Sequence, residues 1–66
     1  MSDAGILMRV RADQLCLSDM IREGSSEHAI LAASVSEGVV TLALAAGAHV
    51  LQRIYARAAV LDVVRQ

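Results

Sequence analysis

Residues 38–66 read GVVTLALAAGAHVLQRIYARAAVLDVVRQ, and the stretch from Gly38 to Gln52 carries no formal charge. Three readings compete for it: a membrane span, the middle of a core, or a surface built for another protein. A span needs about 20 mainly apolar residues, and this run is closed by Glu37 on one side and Arg53 on the other. The interfacial aromatic residues common at span ends are missing too. Taken as a helix, the stretch puts His49, Arg53 and Arg57 on one polar stripe at four-residue spacing. Leu42, Ala46, Val60 and Val64 project along that same stripe, with Val40, Leu44, Leu51, Tyr55 and Ala58 opposite and Asp62 among them. A helix apolar on nearly all sides is buried on nearly all sides. So short a chain cannot surround one alone, and the stretch reads as core and interface together.

The totals point the same way. The 66 residues allow one domain, residues 1–66, with 1–5 as a flexible tail. A chain of this size buries only about 60% of the surface its unfolded form exposes. Cys16 is alone, which excludes an intrachain disulfide. Apolar residues form 56% of the chain, yet Phe and Trp are absent and Tyr55 is the only aromatic residue. Small Ala, Val and Leu side chains favour close approach of helices and a partner that completes the core. A net charge of −1 gives no global basic field for nucleic acid. The start, MSDAGILMRVR, lacks the pattern of a secretory signal. The expected setting is cytoplasmic.

Along the chain, Ile6 to Arg11 alternates, with Ile6, Met8 and Val10 on one side and Leu7, Arg9 and Arg11 on the other, as in a short strand. Ala12 to Glu23 reads as a helix, with Leu17, Met20 and Ile21 at helical spacing and Gly24 as a C-terminal residue of positive φ. A second helix starts at Ser25 or Ser26. Ser34 to Glu37 has the form of a capping box and precedes Gly38, predicting a break near 34–38. Without the break, residues 26–65 form one rod of about 60 Å at 1.5 Å per residue. The expected fold is mainly α: two or three helices including a long C-terminal one, a short strand over 6–11, and an oligomeric state.

Chemistry is sparse. His28 and His49 are far apart in the chain, and neither has the tight spacing of a metal site with Cys16. No G-x-S-x-G elbow supports a hydrolytic triad. The glycines are isolated, without the pattern of a phosphate-binding loop. The expectation is a non-enzymatic protein with no catalytic residue, metal, cofactor or small-molecule substrate. Cys16 is expected as a buried thiol. The expected protein interface is Leu44, Gly47, Val50, Leu51, Arg53, Ile54, Tyr55, Arg57 and Ala58, with Tyr55 either an anchor or ordinary core and the two arginines either pairing with acidic groups or forming a solvated rim.

The order strand, helix, Gly-Ser turn, helix, carried by LMRVR and EGSSEHAI, resembles the ribbon-helix-helix DNA-binding proteins. That resemblance implies a dimeric regulator whose paired strands enter the major groove, with Arg9 and Arg11 as base readers. The leading expectation is a small protein–protein interaction module, either a homo-oligomer or a regulator, adaptor or inhibitor docked on a larger protein. The DNA-binding dimer stands second. A peripheral membrane-associated helical peptide stands third, weakened by the lack of a basic face.

Overall fold

The structure, a computed structural model, describes residues 5–65. Gly24, Gly38 and Gly47 all hold positive φ, and each lies in a two-residue loop between antiparallel strands. Gly24 and Gly47 take the first loop position at φ +62, followed by Ser25 and Ala48 at negative φ, the pattern of a type II′ hairpin turn. Gly38 takes the second position at φ +79, where a type II turn wants glycine. These loops join β2 (Met20–Glu23), β3 (Ser26–Ser36), β4 (Val39–Ala46) and β5 (His49–Ala56) into a continuous meander. β1 (Ile6–Arg11) and β6 (Val60–Arg65) complete an antiparallel sheet of order β1-β6-β2-β3-β4-β5.

The strand expected over 6–11 is β1, while the mainly α fold is overturned. Residues 12–23, expected as a helix, form one 3₁₀ turn (Ala12–Gln14), a loop and β2. The expected second helix is β3, and the long C-terminal helix is β4, β5 and β6. The break near 34–38 exists as a hairpin turn, and Gly24 has its expected positive φ in a hairpin rather than at a helix end. The tail expected over 1–5 lies outside the described residues except for Gly5. With no α-helix among the described residues, both the helical domain and the amphipathic membrane helix fall.

The physical reason is the period. Residues that surround a helix at 100° per residue fall on alternate faces of a strand. Val40, Leu42 and Leu44 point inward and are buried, while Val39, Thr41, Ala43 and Ala45 face the other way. The all-round apolarity of the quoted stretch is thus two faces of a sheet. Alanine's helix preference is worth only tenths of a kcal/mol per residue, and glycine inside a helix costs about 1 kcal/mol. Burying the β4 column outweighs the first, and the glycine cost adds to the case against a helix.

A bulge in β3 shapes the sheet. Ser26–Ala29 pairs with β2, Ile30–Ser36 pairs with β4, and the register shifts between Ile30 and Ala32. Leu31 is the extra residue, and such a bulge bends its strand and increases local twist. Two lobes result: β1, β6, β2 and the first half of β3, then the second half of β3 with β4 and β5. They share one core of Val10, Ala12, Ile21, Ile30, Val40, Leu42, Leu44 and Val63. Backbone bonds from Ala12 N–H to Ala59 O (2.8 Å) and Asp13 N–H to Arg57 O (3.2 Å) tie the 3₁₀ turn to the β5–β6 connection.

The loop before β2 is held by Asp19, which is 1% exposed. Its carboxylate accepts Arg65 Nε and Nη2 bonds, both 2.8 Å, and the Cys16 N–H at 2.9 Å. The bidentate Arg65 bond holds the Asp19 carboxyl below its ordinary range, against the opposing effect of burial. Cys16, expected to be buried, is exposed, because it lies in this loop and not in a helix.

Two substitutions test this account. Gly47→Ala meets no neighbour within 4 Å but must hold φ +62. It should cost about 1–2 kcal/mol, a fall in melting temperature of roughly 4–8 °C per kcal/mol, with Gly47→Asn milder. Asp19→Ala should cost about 3 kcal/mol, the low end for breaking a buried ion pair, since Arg65 keeps 34% of its side chain exposed. Thermal and urea denaturation read both values.

Candidate interaction surface

The outward faces of the two lobes differ in charge. Around β1, β6 and β2 the exposed side chains include Arg9, Arg11, Arg22 and Asp62. The outward face of β4, β5 and the second half of β3 carries no charged residue. Its cross-strand rows are Ala32–Ala43–Gln52, Ser34–Thr41–Ile54 and Ser36–Val39–Ala56. The small side chains of the first two rows leave a shallow open depression over Ala32, Ser34, Thr41, Ala43 and Gln52. Val50 and Ile54 stand beside it, 60% and 69% exposed.

The sheet edges differ as well. Antiparallel neighbours alternate between pairs that exchange backbone hydrogen bonds and pairs that do not. Arg57 N–H bonds Gly38 O at 3.1 Å in register with the β4–β5 ladder, so Tyr55, Arg53, Leu51 and His49 direct their backbone groups at β4. Val50, Gln52 and Ile54 therefore direct theirs off the edge. Gln52 O fits this placement by accepting a 3.0 Å bond from Arg53 Nη1. The Ala12–Ala59 bond sets the alternation of β1 in the same way, and there the off-edge residues are Leu7, Arg9 and Arg11. Charged side chains blunt an edge against pairing, and β1 has two where β5 has none. The second half of β3 is also unpaired on its β2 side, and it ends at Ser36, next to the charged Glu37.

Behind β5 lies a polar cluster that joins the lobes. Glu23 accepts bonds from Arg53 Nε (3.0 Å), Arg53 Nη2 (3.2 Å) and the Tyr55 hydroxyl (3.4 Å). His28 Nδ1 bonds Ala45 O at 3.0 Å, so that nitrogen is the protonated one, and Nε2 lies 4.0 Å from Glu23. The Arg53 fork lowers the Glu23 carboxyl below its ordinary value. Burial, then the Glu23 charge, pushes the Tyr55 phenol up. Through Arg53 and Tyr55, Glu23 ties β2 to β5 and the cluster acts as a latch.

The expected interface residues divide accordingly. Val50 and Ile54 lie on the exposed outward face. Leu44 is 0% exposed and belongs to the core, with Leu51 half-buried opposite it. Arg53 and Tyr55 face inward to Glu23. Gly47 forms the β4–β5 turn, and Arg57 and Ala58 lie in the connection to β6, with Arg57 Nε 3.8 Å from Asp13. Sequence reading passed over Thr41 and Gln52, and period-two alternation across 39–46 and 49–56 was the signal that places them on the outward face.

The fold implied by the ribbon-helix-helix resemblance is absent, since β1 leads into a sheet. Arg9 pairs with Asp62 (3.6 Å) and Arg11 with Asp13 (3.0 Å). Among the described residues, no group of three His, Cys, Asp or Glu side chains is arranged to hold a metal ion. No helix there is long and apolar enough to cross a membrane. The chain matches no protein-family model, no curated protein and no solved structure.

Both Asp19 and Glu23 are held below their ordinary values of 3.8 and 4.5. Their depressed folded-state values stabilise the fold above those ordinary values, and that stability is lost as pH falls through the lower folded ones. Urea midpoints should therefore fall with acidification from pH 4.5 downward. An Asp19→Asn, Glu23→Gln variant should start less stable and show a flatter slope.

Proposed function

We propose that this chain is a small non-enzymatic module that works by protein–protein association through β5 and the uncharged outward face beside it. The observation that carries this reading is the contrast between edges. β1 presents Arg9 and Arg11, whereas β5 presents Val50, Gln52 and Ile54 with free backbone groups. A sheet edge with unpaired N–H and C=O groups is a template for another strand. The neighbouring face adds apolar area, with small side chains in the middle and Val50 and Ile54 at the rim. Arg53 aligns the site from behind: its guanidinium holds β5 to Glu23 and keeps the edge strand extended.

Val50→Lys with Ile54→Lys should keep the fold, because both side chains are exposed, and should abolish association. The test is affinity capture with tagged wild-type and double-variant chains, identification of what is retained, and titration of each purified partner against both. Partners, including the chain itself, should bind the wild type and lose at least tenfold in affinity for the variant. Equal binding to both would place association elsewhere and overturn the reading.

A further inference from the structure

We infer that the β5 edge is occupied by the β5 edge of a second copy of this chain, paired antiparallel about a two-fold axis at Gln52. The inference rests on the association reading above and names its partner. Free groups at Val50, Gln52 and Ile54 form a row that, when covered from water, only an extended backbone can pair along its length. The outward side chains of β5, Val–Gln–Ile, have the same polarity pattern in either chain direction. With Gln52 opposite Gln52, Val50 lies opposite Ile54: apolar meets apolar, and one amide meets the other. Gln52 O accepts from Arg53 already, and the second lone pair of a carbonyl remains for the neighbouring strand.

Register and charge select this arrangement. In the inward row, Leu51 lies opposite Arg53 and His49 opposite Tyr55, so neither Arg53 meets its own copy. Sliding the strands to put Gln52 opposite Ile54 would set Arg53 against Arg53, which costs energy. Sliding the other way leaves Ile54 without a strand partner. The outward face carries no charge, so a partner bringing charged side chains to it would leave them unpaired. The uncharged Val, Gln, Ile, Thr and Ala surface it calls for is the one this chain carries. Pairing like edges also closes the assembly at two copies, whereas β5 against the open half of β3 would propagate. With three residues a side forming the ladder, the interface falls at the small end, below roughly 1,200 Å² in total, so dilution should dissociate it.

The test uses the full chain with Cys16→Ser, so that one engineered thiol reports geometry. Residues directly opposite in a hydrogen-bonded pair have Cα atoms about 5.5 Å apart, within disulfide range. Gln52→Cys should give a covalent dimer on mild oxidation, and Val50→Cys, which faces Ile54, should give at least fivefold less. Light scattering over a dilution series should show a dimer dissociating to monomer. Ile54→Lys should raise the dissociation constant at least tenfold, and Leu7→Lys on the β1 edge should leave it unchanged. A monomer throughout, a species that keeps growing with concentration, or equal cross-linking at residues 50 and 52 would overturn the inference. If a different protein still binds the wild type and not the Val50→Lys, Ile54→Lys chain, the association reading survives and only the second copy is excluded.

Discussion

A six-stranded sheet built from so few residues buries an apolar face only by folding back on itself, and β3 is where it does so. The extra residue Leu31 separates the half of the strand that serves β2 from the half that serves β4. The bend brings Val40, Leu42 and Leu44 against Val10, Ile21 and Val63, making one core from two shallow lobes. The Glu23–Arg53 fork closes the same bend from its open side, spanning strands that are not neighbours in the sheet. Remove the bend and the β4 column faces water.

Much of this was legible residue by residue, but under the wrong period. Ile6 to Arg11 shows its alternation because arginines mark the outer side. β4 does not, because its outer side is Thr and Ala, residues that fail to contrast with Leu and Val. Alanine-rich strands look helical to any rule based on propensity, and here the tertiary environment overrides that weak preference. The glycines were the stronger witnesses: Gly47 would sit inside the expected C-terminal helix at a cost, while Gly38 marks the expected break. Gly24 was assigned the right φ and the wrong neighbour, since a positive φ serves a helix end and a hairpin equally. Of the residues expected at an interface, Val50 and Ile54 are exposed on the outward face, while Leu44, Leu51, Arg53 and Tyr55 turn inward. One face of a strand separates what one helical stripe would mix.

The asymmetry between the lobes gives the molecule a direction. Charge is gathered on the outer side of β1, β6 and β2, where Arg9 and Asp62 face each other across the strands with both side chains mostly in water. Such exposed pairs add little stability, but they keep that side hydrated and unattractive to other sheets. The β3–β4–β5 side lacks this protection.

The place of β6 carries a consequence for how the fold is reached. β2 to β5 can zip up in chain order, because each hairpin closes over two residues. β6 must instead enter between β1 and β2, joining Leu7 and Met20 to Val64 across long stretches of chain. Closing such long loops is entropically expensive and slows barrier crossing. Loop-closure entropy thus favours the meander before β6, and the Arg65 partner of Asp19 comes with that last strand. Until then the first lobe has no centre, and β1 has no strand to pair with.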